Sequence, residues 1–583
     1  MKDAAARRRR MALWIVAVIA GLIGSAAAQQ PPEPSRVVVV VHGGAGEVAG
    51  SLSVLDTGNG RWMVDCGTDA PDREGSNGPK DAAGRSATLP VDGRSIAAVF
   101  LTHAHTDHVG RLPLLVQEGF VGPIFATPGT LQLLPVMLRM QIRYDEGRKR
   151  QWSWSLRTLE RSQNSGRPVT VHWHAACRYR AAIAPENLRS AAASLDELGR
   201  RFEQDSPGVE IRLCQRCVEE EAASILALCR PVDYDAATEV APGVAVTFLY
   251  AGHIPGSASV VFEVRLAGAR RRVLFSGDVG NDLSPLFPGP KPAPEVDAAF
   301  IETTYGPTFR DASVHEERSL FRRSVGAAVD RGAVAWIPAF ALDRTQRILH
   351  ELCLAQREGV LSPDVPIYCS SPTAAEITAI YARNRRKGWF RQPVADDPKA
   401  WSPSGLRTTP GLPENLSRPC VLLTTSGMLD FGASRALIGR LVPQASSAIF
   451  LVGYQDPDSP GGRLMKAAGL LREGTRDQAS LKTASRPASA DDSPKASQAA
   501  VLDWNEDQLP VHAAVHYFRC FSAHADAKEM DAWLSKVPRG ATVVLVHGGP
   551  WELAGRAKQL AQQGWQDVRI AKPGEPIVLT PGK

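Results

Sequence analysis

The stretch Thr-His-Ala-His-Thr-Asp-His at residues 102–108 directly follows an apolar, strand-like run and decides the fold. Residues two apart on an extended loop point the same way, so His103 and His105 can share one metal ion. Asp107 and His108 then open the next helix and face a second ion. Imidazole and carboxylate groups are suitable ligands for zinc or manganese. The spacing therefore predicts a metal site at the end of a strand.

Three further candidate ligands follow apolar runs elsewhere in the chain. They are His253, Asp278 and His547, each placed where a predicted strand ends. A lone histidine at a strand end is more often structural than a ligand. Three such groups together with the histidine-rich core favour a shared metal site. Alternation of strand-like and helix-like segments along the chain predicts an α/β protein.

These residues resemble the metallo-β-lactamase superfamily, which implies a four-layer αβ/βα sandwich with metals at one edge of its sheets. Further motifs are similar to the β-CASP branch, the RNA-processing nuclease type of ribonuclease J and the cleavage-and-polyadenylation endonuclease. The motifs occur in family order between about residues 37 and 560. They lie at residues 43–51, 63–67, 301–306, 338–346, 371–372, 425–428, 453–455 and 521–526. The branch implies an inserted α/β β-CASP cap domain.

Residue by residue, the resemblance implies two zinc ions, with manganese as an alternative. The implied ligands are His103, His105 and His253 for one ion, Asp107, His108 and His547 for the other, and Asp278 as the bridge. Two such ions share a hydroxide and stabilise the charge of an in-line displacement at phosphorus. The resemblance places Asp107 among the catalytic residues as well.

Three side chains beyond the ligands complete the implied site. Asp65 resembles a carboxylate that orients ligands, although an aspartate that only caps a turn fits the sequence too. His524 matches the histidine that acts as general acid on the leaving oxygen, and Glu302 matches the acidic residue that orients it. The sequence alone would also allow His524 to be a helix-capping residue.

The resemblance also bears on the substrate. RNA-directed members of the branch carry a histidine at the third β-CASP motif, where His547 stands, so single-stranded RNA is the implied partner. Ser426 and Gly427 could supply backbone donors and Tyr454 a stacking surface, or these residues could belong to core packing. The resemblance implies no obligate protein partner and at most a homodimer.

The organisation along the chain follows from composition and motifs. Residues 36–305 form the first part of the metallo-β-lactamase domain, with a helical insertion at about 142–235. Residues 306–508 form the β-CASP domain, with a low-complexity loop at about 473–505, and residues 509–583 return to the first domain. A hydrophobic content of 44% and a charged content of 22% exclude a disordered chain, a coiled coil or a collagen.

The first 28 residues predict export. Four arginines at residues 7–10 precede an apolar run and a small-residue cleavage site after Ala28. An uncleaved membrane anchor and a wrongly assigned start remain alternatives. The protein is therefore expected to be exported or periplasmic, with or without an anchor, or cytoplasmic if the start is wrongly assigned. Most of the net charge of +6 comes from this leader and is no evidence for nucleic-acid binding.

The nine cysteines do not form a disulfide scaffold. Five lie in apolar runs and are expected to be buried thiols: Cys66, Cys353, Cys369, Cys420 and Cys520. The insertion carries a second group of histidines and cysteines. Their spacing fits an additional structural zinc, a disulfide or thiols with no such role. That group is His172, His174, Cys177, Cys214 and Cys217.

Two function classes fit the sequence. One is a metal-dependent ribonuclease with endonucleolytic or 5′-exonucleolytic activity, or both. The alternative is an exported hydrolase of the same fold that acts on another ester or a lactam, for which His524 and Glu302 would have no use. A non-catalytic RNA-binding scaffold ranks third, because the ligand set is intact.

Overall fold

The computed structural model describes most of the chain. The described residues are 36–68, 89–148, 170–173, 210–213, 215–266, 269–310, 313–413, 416, 418–471, 500–504 and 507–579. The predicted leader and residues 473–499 of the low-complexity segment lie outside them, as do the side chains of the His/Cys group in the insertion. Across the described ranges, no helix combines the length and apolar character that a membrane span needs.

The strands are numbered in chain order. The first twelve are β1 (Val37–Gly43), β2 (Leu52–Asp56), β3 (Arg61–Val64), β4 (Ala98–Phe100), β5 (Ile124–Ala126), β6 (Thr170–Trp173), β7 (Glu210–Leu213), β8 (Cys229–Pro231), β9 (Thr238–Ala241), β10 (Val244–Tyr250), β11 (Ala258–Leu266) and β12 (Ala269–Phe275). The others are β13 (Ala298–Glu302), β14 (Val334–Pro338), β15 (Ile367–Ser370), β16 (Leu406–Thr408), β17 (Cys420–Thr424), β18 (Ser447–Leu451), β19 (Val501–Trp504), β20 (Asp507–Pro510), β21 (Ala514–Tyr517), β22 (Thr542–Val546), β23 (Asp567–Ile570) and β24 (Pro576–Leu579).

The α-helices are numbered in the same way. They are α1 (Thr106–Val109), α2 (Leu112–Gln117), α3 (Pro128–Arg148), α4 (Gln215–Leu226), α5 (Ser313–Asp330), α6 (Arg344–Arg357), α7 (Pro372–Arg383), α8 (Gln392–Asp396), α9 (Gly432–Leu441), α10 (Pro460–Ala467), α11 (Ala527–Trp533) and α12 (Pro550–Gln562).

Three large sheets organise these elements. Two are seven-stranded, with orders β24-β1-β2-β3-β4-β5-β8 and β23-β22-β13-β12-β11-β10-β9. The third, with order β16-β15-β17-β14-β18-β21, is the sheet of the cap and is parallel throughout. Strands β13, β14, β17 and β18 are apolar runs buried at every position, as parallel strands covered on both faces require.

The two seven-stranded sheets pack face to face between outer helices. Phe100 of the first sheet lies 5.0 Å, between ring centroids, from Phe262 of the second. The outer face of the first sheet packs on α2 and α3, and that of the second on α11 and α12. This arrangement confirms the predicted four-layer αβ/βα sandwich with an inserted α/β cap.

Two short strands pair across the predicted domain limits. Strand β21 lies after the predicted boundary at residues 508 and 509, yet it pairs with β18 of the cap sheet. Strand β8 lies within the predicted helical insertion at 142–235, yet it pairs with β5 and completes the first sheet. Both limits followed composition, whereas membership of a sheet depends on a distant pairing partner.

Strand direction brings the candidate site residues to one edge. Strands β10 and β12 are both antiparallel to β11, and β12, β13 and β22 are mutually parallel neighbours. The carboxyl ends of these four strands therefore meet at the same edge of the second sheet. The 102–108 loop, which follows β4 of the first sheet, faces them across the sandwich.

Candidate metal centre and active site

One group of side chains brings three imidazole nitrogens together. His105 Nδ1 lies 3.1 Å from His103 Nε2 and 3.2 Å from His253 Nε2. Oδ2 of Asp278 lies 3.4 Å from His103 Nε2 and 3.4 Å from His253 Nε2. His103 and His253 are almost completely buried. Converging imidazole and carboxylate atoms of this kind form a ligand set for a divalent ion.

A second group lies on the other side of Asp278. Oδ2 of Asp107 lies 3.8 Å from His108 Nε2 and 3.5 Å from His547 Nε2. Oδ1 of Asp278 lies 3.3 Å from His108 Nε2. Asp278 thus presents one carboxylate oxygen to each group, which is the geometry of a bridging ligand.

The chemistry of the two groups fits metal ions. His108 Nε2 and Asp278 Oδ1 are buried without a hydrogen-bond partner within the described residues, a defect that a cation between them would correct. Burial, together with the neighbouring His108, lowers the pKa of His103 to about 3, although Asp278 opposes this shift. His103 is therefore a neutral imidazole with a lone pair available to a metal.

The second group differs, because nearby carboxylates raise the pKa of both His108 and His547. Burial lowers the pKa of His547, but the carboxylates of Asp278 and Asp107 outweigh this effect and raise it to about 9. Without a metal, His547 is thus a cation held by two anions. Metal binding at this group must release a proton, because a ligating imidazole needs a free nitrogen.

Asp65 lies behind the ligands rather than among them. Its Oδ1 accepts a hydrogen bond from the backbone N–H of Thr102 at 2.8 Å. Its Oδ2 accepts from Thr102 Oγ1 at 2.7 Å and lies 2.8 Å from His108 Nδ1. A protonated Nδ1 leaves Nε2 of His108 free to face Asp107 and Asp278, so Asp65 orients the imidazole.

His524 is paired with Glu302 beside the metal groups. His524 Nδ1 lies 3.0 and 3.1 Å from the two Glu302 carboxylate oxygens, and its Nε2 lies 4.0 Å from Asp278 Oδ2. Glu302 is itself held by the N–H of Val279, at 2.7 Å, and by the hydroxyl of Thr304, at 2.5 Å. Burial lowers the pKa of His524, but the charges of Glu302 and Asp278 leave it above its ordinary value.

Three separate segments match known families. Residues 45–173 match the metallo-β-lactamase superfamily, and residues 345–464 match the β-CASP domain. Residues 508–571 match the Zn-dependent metallo-hydrolase RNA specificity domain. The chain belongs to the β-CASP branch of the metallo-β-lactamase superfamily. This β-CASP protein is therefore a member of a family of metal-dependent hydrolases. Its two His/Asp groups are consistent with metal binding.

Curated relatives align over much of this β-CASP protein. "Ribonuclease TTHA0252" of Thermus thermophilus is 27% identical, over 92% of this chain and 98% of its own length. "RNase J-like protein" of Methanocaldococcus jannaschii is 22% identical, over 91% of this chain and 96% of its own. "Transcription termination factor FttA" of Methanosarcina mazei is 26% identical over 73% of this chain, but the match spans only 57% of that relative.

The three predicted substrate-binding residues of the β-CASP protein differ in their exposure to solvent. Ser426 is buried, its N–H donates to the Phe431 carbonyl oxygen at 3.2 Å, and its hydroxyl donates to Asp430. The backbone N–H of Ser426 is therefore already engaged within its own loop. Gly427 is buried, and its carbonyl accepts from the side chain of a neighbouring loop. Tyr454 is 46% exposed, as a stacking residue must be.

Sequence reasoning missed side chains that hold the site from behind. Thr304 Oγ1, besides bonding Glu302, lies 3.1 Å from His547 Nδ1 and so links the two. The side chain of Asn281 donates to the His524 carbonyl oxygen at 3.2 Å, and the Arg310 guanidinium donates to the same oxygen. The only sequence signal for these residues is closeness to Asp278 and Glu302.

The cysteine prediction is confirmed where the structure describes it. The five thiols expected to be buried are buried and free, and Cys229 is also free. The side chains of the other three cysteines, Cys177, Cys214 and Cys217, lie outside the described residues. The additional zinc, which would include His172 and His174, therefore stays a prediction, as do a disulfide or uninvolved thiols.

Proposed function

We propose that this β-CASP protein is a metal-dependent ribonuclease that hydrolyses single-stranded RNA, endonucleolytically, from the 5′ end, or both. One observation carries the proposal: the paired His524 and Glu302 lie directly beside the two His/Asp groups. The names of two relatives that align over almost their whole length, a ribonuclease and an RNase J-like protein, support RNA as the substrate.

The two ligand groups would hold two divalent ions, zinc or manganese. His103, His105 and His253 would hold one, Asp107, His108 and His547 the other, with Asp278 shared between them. When bound, such ions activate water and stabilise the negative charge that develops on the phosphate. Asp65 fixes the tautomer of His108 through the 2.8 Å contact to Nδ1 and thereby keeps its other nitrogen on the ligand side.

His524 supplies the proton that the leaving oxygen needs. Glu302 occupies its Nδ1, so the Nε2–H points towards Asp278 and the space between the ligand groups. The raised pKa favours the protonated imidazole that a general acid requires. A positioned acid with this protonation state typically contributes a rate factor of about 10²–10⁴.

The test is cleavage of end-labelled single-stranded RNA and DNA of one sequence by the metal-loaded full-length protein, with His524→Ala as the control. Cleavage of RNA by the wild type alone supports the ribonuclease. Intact RNA with both metals bound would instead favour the alternative, an exported hydrolase of another ester or a lactam, and those substrates would be assayed next.

Export is a separate proposal that concerns residues 1–28. Their arginine cluster, apolar run and small residues before the predicted cleavage site support it. Fractionation of cells that express the full chain tests the proposal, together with the mass of the purified product. A protein that keeps residues 1–28 and stays in the cytoplasm would contradict export.

A further inference from the structure

A buried ion pair at the start of α6 fixes an arginine through which the cap contacts the metal domain. Asp343 precedes α6 with a positive φ of 68°, a conformation that is uncommon for residues other than glycine. Arg347 Nε donates to Asp343 Oδ2 at 2.5 Å, and each side chain is only 4% exposed. The Tyr381 hydroxyl adds a bond to Asp343 Oδ1 at 3.3 Å. The carboxylate therefore fixes the guanidinium in one orientation.

The rest of the Arg347 guanidinium reaches out of the cap. One terminal nitrogen donates to Ser284 Oγ at 3.2 Å. The other lies 3.5 Å from the carbonyl oxygen of His253, at the long limit of a hydrogen bond. The guanidinium carbon lies 5.2 Å from the ring centroid of Phe287. Arg347 thus touches the loop of one metal-ligand candidate and the segment that follows another, Asp278.

A second arginine of the cap holds the same segment. Arg391 Nε donates to the Ser284 carbonyl oxygen at 2.9 Å, and the Arg391 N–H donates to the Leu286 carbonyl oxygen at 2.8 Å. Ser284 Oγ in turn accepts from the N–H groups of Leu286 and Phe287, each at 3.3 Å. The cap and the ligand loops are therefore joined by directed bonds rather than by apolar packing alone.

We propose that Arg347, oriented by Asp343, is a positioning residue through which the β-CASP cap fixes the His253 loop for metal binding. The inference rests on the metal site of the proposed function but not on RNA as the substrate. A planar guanidinium can bond Asp343, Ser284 and the loop carbonyl at once, because its donors form a rigid fork. A lysine ammonium at the end of a flexible chain cannot reproduce that geometry.

The chain offers a matched control in a second buried ion pair, which joins α5 to α6. Glu351 of α6 accepts from Arg318 Nε at 2.6 Å, and Arg318 has a side chain that is 8% exposed. Both residues belong to the cap. Arg318→Met therefore removes a buried arginine of similar environment without touching the bonds to the His253 loop.

The experiment compares zinc affinity and thermal stability of the full-length wild type, Arg347→Lys, Arg347→Met and Arg318→Met. Competition with a chromogenic chelator should show zinc binding about 10–100-fold weaker in both Arg347 variants. Arg318→Met should lower Tm but keep the affinity of the wild type. With bis(p-nitrophenyl) phosphate, the Arg347 variants should lose kcat at unchanged KM once zinc is saturating.

Arg347 variants that bind zinc as the wild type does, while Tm falls as in Arg318→Met, would overturn the inference. If Arg347→Met does not fold, Arg347→Lys decides, because it retains a cation beside Asp343. A wild type that binds zinc but cleaves no RNA would count against the ribonuclease alone. The chelator competition would still decide the role of Arg347.

Discussion

His524 Nδ1 lies within 3.1 Å of both carboxylate oxygens of Glu302, and no other buried carboxylate of the described site is so close to this nitrogen. Glu302 ends β13 and His524 lies on the loop before α11, so the pair joins two distant parts of the chain. The contact fixes the orientation of the His524 imidazole and raises its pKa.

Replacing His524 by alanine should remove activity and leave the metals in place. His524 is outside both ligand groups, so the variant should bind metal as the wild type does. Loss of the proton donor should lower kcat on single-stranded RNA by about 10²–10⁴-fold. Metal analysis and single-turnover kinetics on one preparation check both parts. A variant that purifies without metal would show that His524 has a different role.

Replacing Glu302 by glutamine should shift the pH profile. The Glu302 carboxylate raises the pKa of His524, and an acid catalyst works only while protonated. Removal of the charge should therefore lower this pKa, so that kcat begins to fall at a lower pH than in the wild type. The measurement is kcat against pH on the alkaline side. An alkaline limb at the same pH in both proteins would exclude His524 as the titrating acid.

Replacing Asp65 by asparagine should weaken metal binding. The carboxylate accepts a bond from Thr102 and holds His108 Nδ1 at 2.8 Å, and loss of such an orienting contact typically costs about 10–100-fold in metal affinity. Chelator competition measures the change. Asp56→Asn is the control, because the Asp56 side chain is 41% exposed in a surface ion pair. Equal affinities for the two variants would contradict the orienting role.

Replacing Tyr454 by alanine should weaken RNA binding without affecting chemistry. Stacking of one base on an exposed aromatic ring contributes about 1–3 kcal/mol. KM for single-stranded RNA should rise accordingly, while bis(p-nitrophenyl) phosphate should be hydrolysed as by the wild type. Val121→Ala, at an apolar side chain that is 84% exposed, is the control. A KM for RNA that does not change would remove Tyr454 from the binding surface.

Replacing Glu351 by alanine should destabilise the cap. Glu351 is 1% exposed and accepts from Arg318 and Arg322, each at 2.6 Å. Its loss leaves the buried Arg318 without its carboxylate partner and Arg322 with Glu358 alone, and breaking a buried pair typically costs about 3–5 kcal/mol in the free energy of unfolding. Urea denaturation measures the cost. Glu263→Ala, which breaks a pair with the exposed Arg270, should cost about 1 kcal/mol or less.

The ligand groups were predictable because strand ends carry a local signal. His253 and His547 each follow an apolar run, and parallel strands bring such ends together. The hydrogen bonding of Ser426 was not predictable. Its N–H donates to the Phe431 carbonyl oxygen within a loop whose path no periodicity in the sequence indicates. The contact of Arg347 with Ser284 joins positions 63 residues apart across two domains, and nothing in the spacing of either residue indicates it.

The order of the strands along the chain determines how late in translation the first sheet and the ligand groups are complete. Strand β24 pairs with β1, with Val578 opposite Val38, and His547 follows β22 in the same late part of the chain. Residues as far as β24 must therefore leave the ribosome before this sheet gains its edge strand, and residues as far as His547 before the ligand groups gain their last histidine. Until then, the growing chain holds only part of the two ligand groups.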